Sequence, residues 1–185
     1  MFQLEQHDAQ FASLNTRIQK HGADRVLAAD LAMTVNAPNT ILETIEPGLR
    51  TSLFRKPGKG DQMDFDHDQK AQAAQITDQL VAVRHPGFGP LQVAHKFPGY
   101  ELVILDAFED STVEPIVLVD LTMKKLTIQP IEGGSVLLSF TVSGEVTNDD
   151  VAELCDALVR EDVRLTLTPP KAHAQHDEEE QKEAA

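Results

Sequence analysis

The stretch from Tyr100 to Val142 constrains the fold of this chain most strongly, because it is the most apolar and β-branched part of the sequence. Turn-forming residues divide it, most clearly at Glu132–Ser135. Runs of β-branched and aromatic residues between turn signals are typical of strands. The pattern predicts successive core strands at Tyr100–Phe108, Ile116–Leu121, Leu126–Ile128 and Val136–Val142.

The faces of these strands differ in polarity. Apolar side chains occupy both faces of Tyr100–Phe108 and of Ile116–Val119, which predicts strands that are covered on both sides. In Val136–Val142, apolar positions alternate with mostly polar ones, which predicts one face toward solvent. The pair Lys124-Lys125 is expected at a turn between the second and third strands.

An antiparallel hairpin is predicted before this core. Phe11–Ile18 alternates loosely, and Val26–Val35 has a period of two with one apolar face. In residues 39–54, apolar positions at helical spacing are interrupted by Pro47-Gly48, which predicts two short helical turns with Asn39 as an N-cap candidate. Farther along, Ile76–Val83 fits either a strand or a short helix.

Thr147–Arg160 has the strongest helical pattern in the chain, because five apolar residues fall on one stripe. They are Val151, Leu154, Cys155, Leu158 and Val159. The only cysteine, Cys155, is therefore predicted to be a buried small hydrophobe. A last strand is expected at Val163–Thr168, ended by Pro169-Pro170.

These elements predict a mainly β (α+β) fold, an antiparallel β-sandwich or open barrel with the C-terminal amphipathic helix packed on it. One domain is expected over residues 1–168. Low apolar content predicts a mobile loop at about 56–75 and a disordered acidic tail at 169–185. No apolar run is long enough to span a bilayer, and no secretory signal is recognisable at the N-terminus, so a cytoplasmic protein is expected.

The motifs that usually carry catalysis or metal binding are missing from the sequence. There is no GxSxG, HExxH or P-loop spacing, and a calcium loop starting at Asp64 fails because Gln69 and Gln75 occupy its required glycine and glutamate positions. A single cysteine excludes a Cys-rich zinc site. We therefore expect a protein that is not an enzyme and needs no cofactor.

Basic residues interleaved with aromatic residues indicate a possible groove for single-stranded DNA. These candidates form one group around residues 50–59, a second around residues 84–100 and a lysine pair. They are Arg50, Phe54, Arg55, Lys56, Lys59, Arg84, Phe88, Lys96, Phe97, Tyr100, Lys124 and Lys125. The alternative interpretation is ordinary surface charge, with Phe54, Phe97 and Tyr100 in the core.

The net charge of −14 does not by itself attract nucleic acid, because such binding depends on Lys and Arg displacing counterions from phosphates. Four consecutive acids in the tail could occupy a basic groove or recruit a partner protein. They are Asp177, Glu178, Glu179 and Glu180. The charge equally favours a second hypothesis, an acidic inhibitor or DNA mimic that binds a basic surface of a bacterial host or defence protein.

Six short segments stand in a recognisable order along residues 11–170. They are Leu14–Arg17, His21-Gly22, Ala29–Leu31, Pro98–Tyr100, Ile131–Val136 and Leu165–Pro170. In this order the chain resembles a group of small proteins of tailed bacteriophages and prophages, encoded among early recombination and replication genes. Members of that group tend to carry a tryptophan just before the Gly-Tyr position, whereas Leu91–Phe97 contains none.

The resemblance implies a phage protein in an infected bacterial cell, with a role around DNA metabolism, and assigns no catalytic residue. The leading hypothesis is a non-enzymatic accessory protein that associates with single-stranded DNA, or with a phage or host protein of DNA metabolism. No membrane contact is expected. Exposed strand edges could also support a homo-oligomer.

Overall fold

Six long antiparallel strands close into a barrel in the computed structural model, which describes residues 2–22, 24–58, 80–107 and 114–170. The strands are β1 (Leu4–His21), β2 (Asp24–Pro38), β6 (Phe97–Asp106), β7 (Ile116–Ile131), β8 (Ser135–Glu145) and β9 (Asp162–Thr168). Their order around the barrel is β7-β6-β9-β1-β2-β8, and pairing of β8 with β7 closes it. The mainly β prediction is confirmed, and the expected sandwich is wrong. The structure is a barrel, as in the other expectation, but a closed one rather than an open one, because this last pairing leaves no open side.

In the described part of the chain, three strands of two residues each lie outside the six-stranded barrel. They are β3 (Phe54–Arg55), β4 (Ala82–Val83) and β5 (Leu91–Gln92). β5 pairs with β7, whereas β3 and β4 form a separate two-stranded sheet. Of the segment predicted as Ile76–Val83, only residues 80–83 belong to the described residues, and β4 is its strand.

The predicted hairpin of Phe11–Ile18 and Val26–Val35 is confirmed. β1 and β2 pair antiparallel from Ala9 opposite Val35 to His21 opposite Asp24. The apolar face of β2 points into the barrel and is almost completely buried beyond Leu27. Because successive strand residues point to opposite faces, the period of two in the sequence places this whole set inside.

β7 carries two bulges that the sequence pattern hides. Asp120 and Lys125 have φ angles of 53° and 55°, and the pairing register shifts near each of them. Each bulge inserts one extra outward residue, so the inward positions resume in phase after it. The buried pairs are Ile116/Leu118, Leu121/Met123 and Leu126/Ile128. The predicted separate strands Ile116–Leu121 and Leu126–Ile128 are therefore wrong: they are one strand, and Lys124-Lys125 lies at a bulge rather than a turn.

The expectation that β7 is covered on both faces is also wrong. Val117 and Val119 point outward and are 52% and 63% exposed. Val103 on β6, opposite Val117, is half-buried. The outer surface of β6 and β7 thus carries apolar side chains that are not part of the core.

Two short helices follow β2, as predicted for residues 39–54. A 3₁₀ turn at Asn39–Ile41 leads into α1 (Leu42–Ile45), and α2 (Leu49–Leu53) follows Gly48, whose φ angle is 83°. The expected N-cap role of Asn39 is wrong. Its buried side-chain amide instead donates to the carbonyl of Leu80 and accepts from Arg50.

Helix α3 (Asn148–Arg160) confirms the predicted C-terminal helix. The Thr147 hydroxyl accepts from the amide of Asp150, whose carboxylate accepts from the amide of Thr147, which is a capping box. Leu154 and Ala157 are the buried residues of the helix, which packs on β1, β7 and β9.

The predicted burial of Cys155 is wrong, because the residue is exposed, and Val159 is 83% exposed. At about 100° per residue, Cys155 lies about 130° and Val159 about 170° from the centre of the stripe made by Leu154 and Ala157, so both side chains point away from the barrel. The barrel therefore buries only some of the apolar residues of the helix, and the others face solvent.

Strand β9 ends at Thr168, as predicted for a strand followed by two prolines. Most of the predicted mobile loop at about 56–75, and all of the tail after Pro170, lie outside the described residues. No helix among the described residues is long and apolar enough to cross a membrane.

Candidate functional site

Four strands contribute to one charged network on the outer wall of the barrel. The carboxylate of Asp30 on β2 lies 3.1 Å from Nζ of Lys124 on β7 and 3.5 Å from Nη2 of Arg17 on β1. Ser143 on β8 donates its hydroxyl hydrogen bond to Asp30 and accepts one from Arg17 over 3.0 Å. The network therefore ties together residues that are more than 100 positions apart in the sequence.

Strand register explains why these side chains meet. Asp30 is paired with Asn15 on β1 and with Ser143 on β8, and Ser143 is paired with Thr122 on β7. Residues directly opposite each other point to the same face of a sheet. Arg17 and Lys124 lie two residues beyond Asn15 and Thr122, on the same outward face.

The surroundings of Asp30 favour its charged form. Its partial burial alone would raise the pKa of the carboxyl group. The hydrogen bonds from Ser143 and Lys124, together with the positive charges of Lys124 and Arg17, outweigh burial and hold this pKa below its ordinary value. The carboxylate therefore stays ionised and keeps both cations in place.

A groove of about 560 Å³ opens above this network, and we call it the polar groove. Its walls come from β1, β7, β8 and the segment before β6. The lining residues are Arg17, Gln19, Lys96, Val119, Asp120, Thr122, Lys124, Ser143, Gly144 and Glu145. Three cations and two carboxylates thus share one depression, with Asp30 beneath it.

The bulges of β7 shape the polar groove. Asp120 and Lys125 bracket the segment that contributes Thr122 and Lys124 to its wall. Bulges increase local twist and bend a strand, so this part of β7 curves between its two neighbours. Lys125 is exposed next to the groove.

Lys96 reaches the groove from the segment that leads into β6. It forms no ion pair with any residue that the structure describes, and its side chain is exposed. The next residue, Phe97, is opposite Met123 and is half-buried against the core. Its ring meets the ring of His95 edge to face at a centroid distance of 4.9 Å, so an aromatic pair borders Lys96.

The first predicted basic group, around residues 50–59, lies at β3, and Arg84 of the second group lies beside it because β4 pairs with β3. The amide of Arg84 donates to the carbonyl of Leu53, and its guanidinium donates to the carbonyl of Phe54 over 3.4 Å. Arg55 and Lys56 lie on and just after β3. The Nε–H of Arg50 donates a 2.8 Å hydrogen bond to Oδ1 of Asn39, so the guanidinium of Arg50 stabilises the contact between α2 and the start of the preceding 3₁₀ turn.

Beside this cluster lies an apolar cleft of about 750 Å³. Phe88, which is 80% exposed, stands on its rim with its ring 5.6 Å from that of His85. The lining residues are Leu53, Val83, His85, Pro86, Phe88, Gly89, Pro90, Leu91, Gln129, Pro130 and Glu132. An exposed phenylalanine next to Arg84 is the basic and aromatic combination that the sequence predicts.

The predicted basic groups do not merge into one surface, and the second group is divided: Phe88 lines the apolar cleft, whereas Lys96 lines the polar groove. Lys124 lines the polar groove and Pro130 lines the apolar cleft, six residues apart along β7. At about 3.3 Å per strand residue, that separation is roughly 20 Å. The segment of residues 91–97 runs beside β7 between the two depressions.

Two of the predicted aromatic platforms are not available for stacking. Phe54 and Tyr100 are fully buried, and the Tyr100 hydroxyl donates to the carbonyl of Phe2. The prediction that they contact a partner is wrong. Large aromatic residues in strands are usually buried in the core, so an aromatic residue in a strand pattern is weak evidence for a binding surface. Lys59 and the acidic residues of the tail lie outside the described residues.

Arg17, Asp30 and Ser143 were not among the predicted site residues. A signal was present: Asp30 lies on the polar face of the predicted strand Val26–Val35, and Arg17 is a polar position of its hairpin partner. Opposite charges on the outward faces of a hairpin indicate a cross-strand pair. The contribution of β7 and β8 depends on the pairing of β2 with β8, which that pattern does not encode.

A second surface has the opposite character. Asp149, Glu153 and Asp156 are exposed on one face of α3 and repeat at helical spacing. Arg160, at the end of this face, is engaged by Asp106 at 2.7 Å. Carboxylates therefore dominate the outer surface of the helix.

In the part of the chain that the structure describes, no three His, Cys, Asp or Glu side chains come together in a way that could hold a metal ion. Comparisons of the chain with family models, with curated proteins and with solved structures found no match.

Proposed function

We propose that the protein is a non-enzymatic binding module that contacts single-stranded DNA through the polar groove. The observation that supports this proposal is the convergence of Arg17, Lys96 and Lys124, from three separate parts of the chain, on one depression. The described residues contain more acidic than basic side chains. Because the charged side chains of the rest of the surface are mostly negative, a cluster of positive side chains is the part of the surface that repels an anionic ligand least.

The described lining of the groove supplies cations for phosphates, and the exposed ring of His95, next to Lys96 in the sequence, could supply a stacking face at its border. Lys and Arg contact phosphates, and aromatic side chains provide faces on which bases stack. Lys96, which has no partner among the described residues, is available to a phosphate, and Phe97 with His95 forms an aromatic border next to it. Asp120 and Glu145 also line the groove, so binding is expected to be weak and sensitive to salt.

Fluorescence anisotropy of a labelled oligothymidine tests the proposal. A length of about 20 nucleotides exceeds the roughly 4–16 that one small nucleic-acid-binding barrel covers. Binding should weaken as salt rises, and the double variant Arg17→Gln/Lys96→Gln should lower the salt slope by about 1.4, because each lost phosphate contact contributes about 0.7 for single strands.

A matched control removes two positive charges away from the groove. Arg55→Gln/Lys56→Gln changes the net charge equally at the edge of the small β3–β4 sheet, in the predicted basic group that does not line the polar groove, so it also decides between the two locations. We expect it to leave the salt slope near that of the unmodified protein. The proposal fails if the unmodified protein gives a flat curve at low salt, or if the two double variants behave alike.

A second candidate function has its own observation, the carboxylates of α3. Asp149, Glu153 and Asp156 could meet a basic surface on a host or defence protein, in the manner of an inhibitor that resembles DNA. Affinity capture from infected bacterial cells, with and without nuclease, separates the candidates. A partner retained after nuclease and lost in Asp149→Asn/Glu153→Gln/Asp156→Asn supports the inhibitor, whereas nuclease-sensitive capture supports the DNA-binding module.

The resemblance to early-region phage proteins supports a place for either activity in phage DNA metabolism, inside the cytoplasm of an infected bacterium. Expression early after infection would agree with this context. A protein that accumulates only with assembled virus particles would contradict it.

A further inference from the structure

The described chain ends beside the polar groove. β9 pairs antiparallel with β6, with Thr168 opposite Glu101, so its continuation points along β6 toward Phe97. Pro170 follows this direction and packs on Gly99: a Cβ added to this glycine would lie 3.1 Å from the Cβ of Pro170. The residues that follow Pro170 in the sequence therefore start from a point next to Gly99, three positions from Lys96.

The length of the following sequence suffices to reach the groove. Asp177, which begins the run of four acids, lies seven positions after Pro170. At a maximum of about 3.3–3.6 Å per residue, this stretch spans up to about 25 Å. Lys96 lies at most about 10 Å from Gly99 by the same measure, and Lys124 follows Met123, the residue opposite Phe97.

The charges are complementary. Asp177–Glu180 carries four consecutive carboxylates, and the groove presents Arg17, Lys96 and Lys124. Lys125 is exposed next to it. A tethered segment has an effective concentration on the order of millimolar, so even a weak contact is well populated.

We propose that the acidic segment Asp177–Glu180 of the same chain docks in the polar groove and competes there with polyanionic ligands. The competition rests on the proposed function, but the docking itself does not. If the isolated contact has a dissociation constant of about 0.1 mM, a millimolar effective concentration lowers the apparent affinity for an oligonucleotide about tenfold. The tail then restricts binding to sites where many phosphates are offered together, because these displace it.

Amide NMR spectra of the full-length protein test the docking without any nucleic acid. The variant Asp177→Asn/Glu178→Gln/Glu179→Gln/Glu180→Gln should shift the signals of Lys96, Phe97, Thr122 and Lys124. Raising the salt concentration should move the unmodified protein toward the same positions, because salt screens exposed charges.

A control variant removes four exposed carboxylates elsewhere, at Glu5, Glu43, Glu46 and Glu114, each replaced by Gln. We expect its groove signals to stay in place, which separates docking from the effect of net charge. Unchanged groove signals in the tail variant overturn the docking proposal, as do equal shifts in both variants.

Anisotropy with the labelled oligothymidine then tests the competition. The tail variant should bind about tenfold more tightly at low salt, and the control variant should change affinity much less. If the groove signals shift but no variant binds the oligonucleotide, docking stands and the proposed function fails. If all variants bind with equal affinity, the competition is wrong.

Discussion

The hydroxyl group of Tyr100 on β6 donates a 2.9 Å hydrogen bond to the backbone carbonyl of Phe2, just before β1. Both residues are buried, and the ring of Phe2 meets that of Phe140 edge to face. The bond therefore anchors the start of the chain to the interior of the barrel. A buried carbonyl that loses its partner costs more than the bond itself contributes, because no water replaces the donor.

Tyr100→Phe should lower the free energy of unfolding by about 1–2 kcal/mol. The substitution removes only the hydroxyl group, so the packing of the ring is retained. Urea denaturation followed by circular dichroism measures the change as a lower midpoint at an unchanged slope. An unchanged midpoint would show that the Phe2 carbonyl finds another donor.

The ionisation of Tyr100 should occur at higher pH in the folded protein than in the unfolded chain. Burial disfavours the phenolate and raises the pKa above its ordinary value of 10.0. The folded state then holds its proton longer, so this contribution to stability is intact below pH 10.0 and is lost as pH rises above it. The chain contains one tyrosine and no tryptophan, so phenolate absorbance reports this residue alone. Equal titration midpoints in buffer and in denaturant would contradict the prediction.

Gly144→Ala should destabilise the barrel by about 1–3 kcal/mol through overpacking. A Cβ at position 144 would collide with Cδ2 of Leu121, which is fully buried and has little room to move. Thermal unfolding measures the effect, with Gly87→Ala as the control, since nothing lies within 4 Å of its added Cβ. Combined with Leu121→Ala, the glycine substitution should cost less than it does alone, because the collision is relieved.

Asp30→Asn should cost up to about 1 kcal/mol at neutral pH, the usual range for a partly exposed ion pair. The pKa of Asp30 lies below 3.8 in the folded protein, so its contribution is present above pH 3.8 and is lost as pH falls through the folded value. The stability difference between the two proteins should therefore shrink in acid. A difference that stays constant down to that pH range would show that the substitution disturbs packing rather than charge.

The same substitution should strengthen oligonucleotide binding at low salt. Asp30→Asn leaves the cations of Arg17 and Lys124 without their carboxylate and raises the positive charge of the polar groove. An increase of severalfold in affinity, which disappears at high salt, is the expected result in the anisotropy assay. Weaker binding would mean that Asp30 is needed to hold the cations in position.

The spacing of apolar residues in the sequence predicted those elements in which buried residues recur at a regular interval along the whole element. β2 and α3 are examples, since the first alternates along its whole predicted length and the second has a capping residue and an apolar stripe. β7 breaks this condition, because the bulges at Asp120 and Lys125 each shift the phase by one residue. A lysine pair between two apolar runs has the composition of a turn, and only the partner strands reveal that the chain continues as one strand.

Barrel closure and the polar groove depend on pairings between distant segments. β2 pairs with β8, and β9 pairs with both β6 and β1, whereas β7 pairs with its sequence neighbours β6 and β8. No local pattern encodes which strands are neighbours, so the sequence could not place Arg17 next to Lys124. The sequence did place Lys96 and Lys124 among the candidates, and the groove brings these two together.

The two bulges of β7 also decide where the barrel wall tolerates a change in length. Each bulge holds one extra outward residue, so deleting Asp120 would leave a regular strand in which Leu118, Leu121 and Met123 still face the core. Deleting Thr122 instead would turn Met123 toward water and Lys124 toward the core. Chains descended from the same ancestor should therefore lose single residues at the bulges and not between them, and such changes would identify distant kin of this barrel where overall identity has faded.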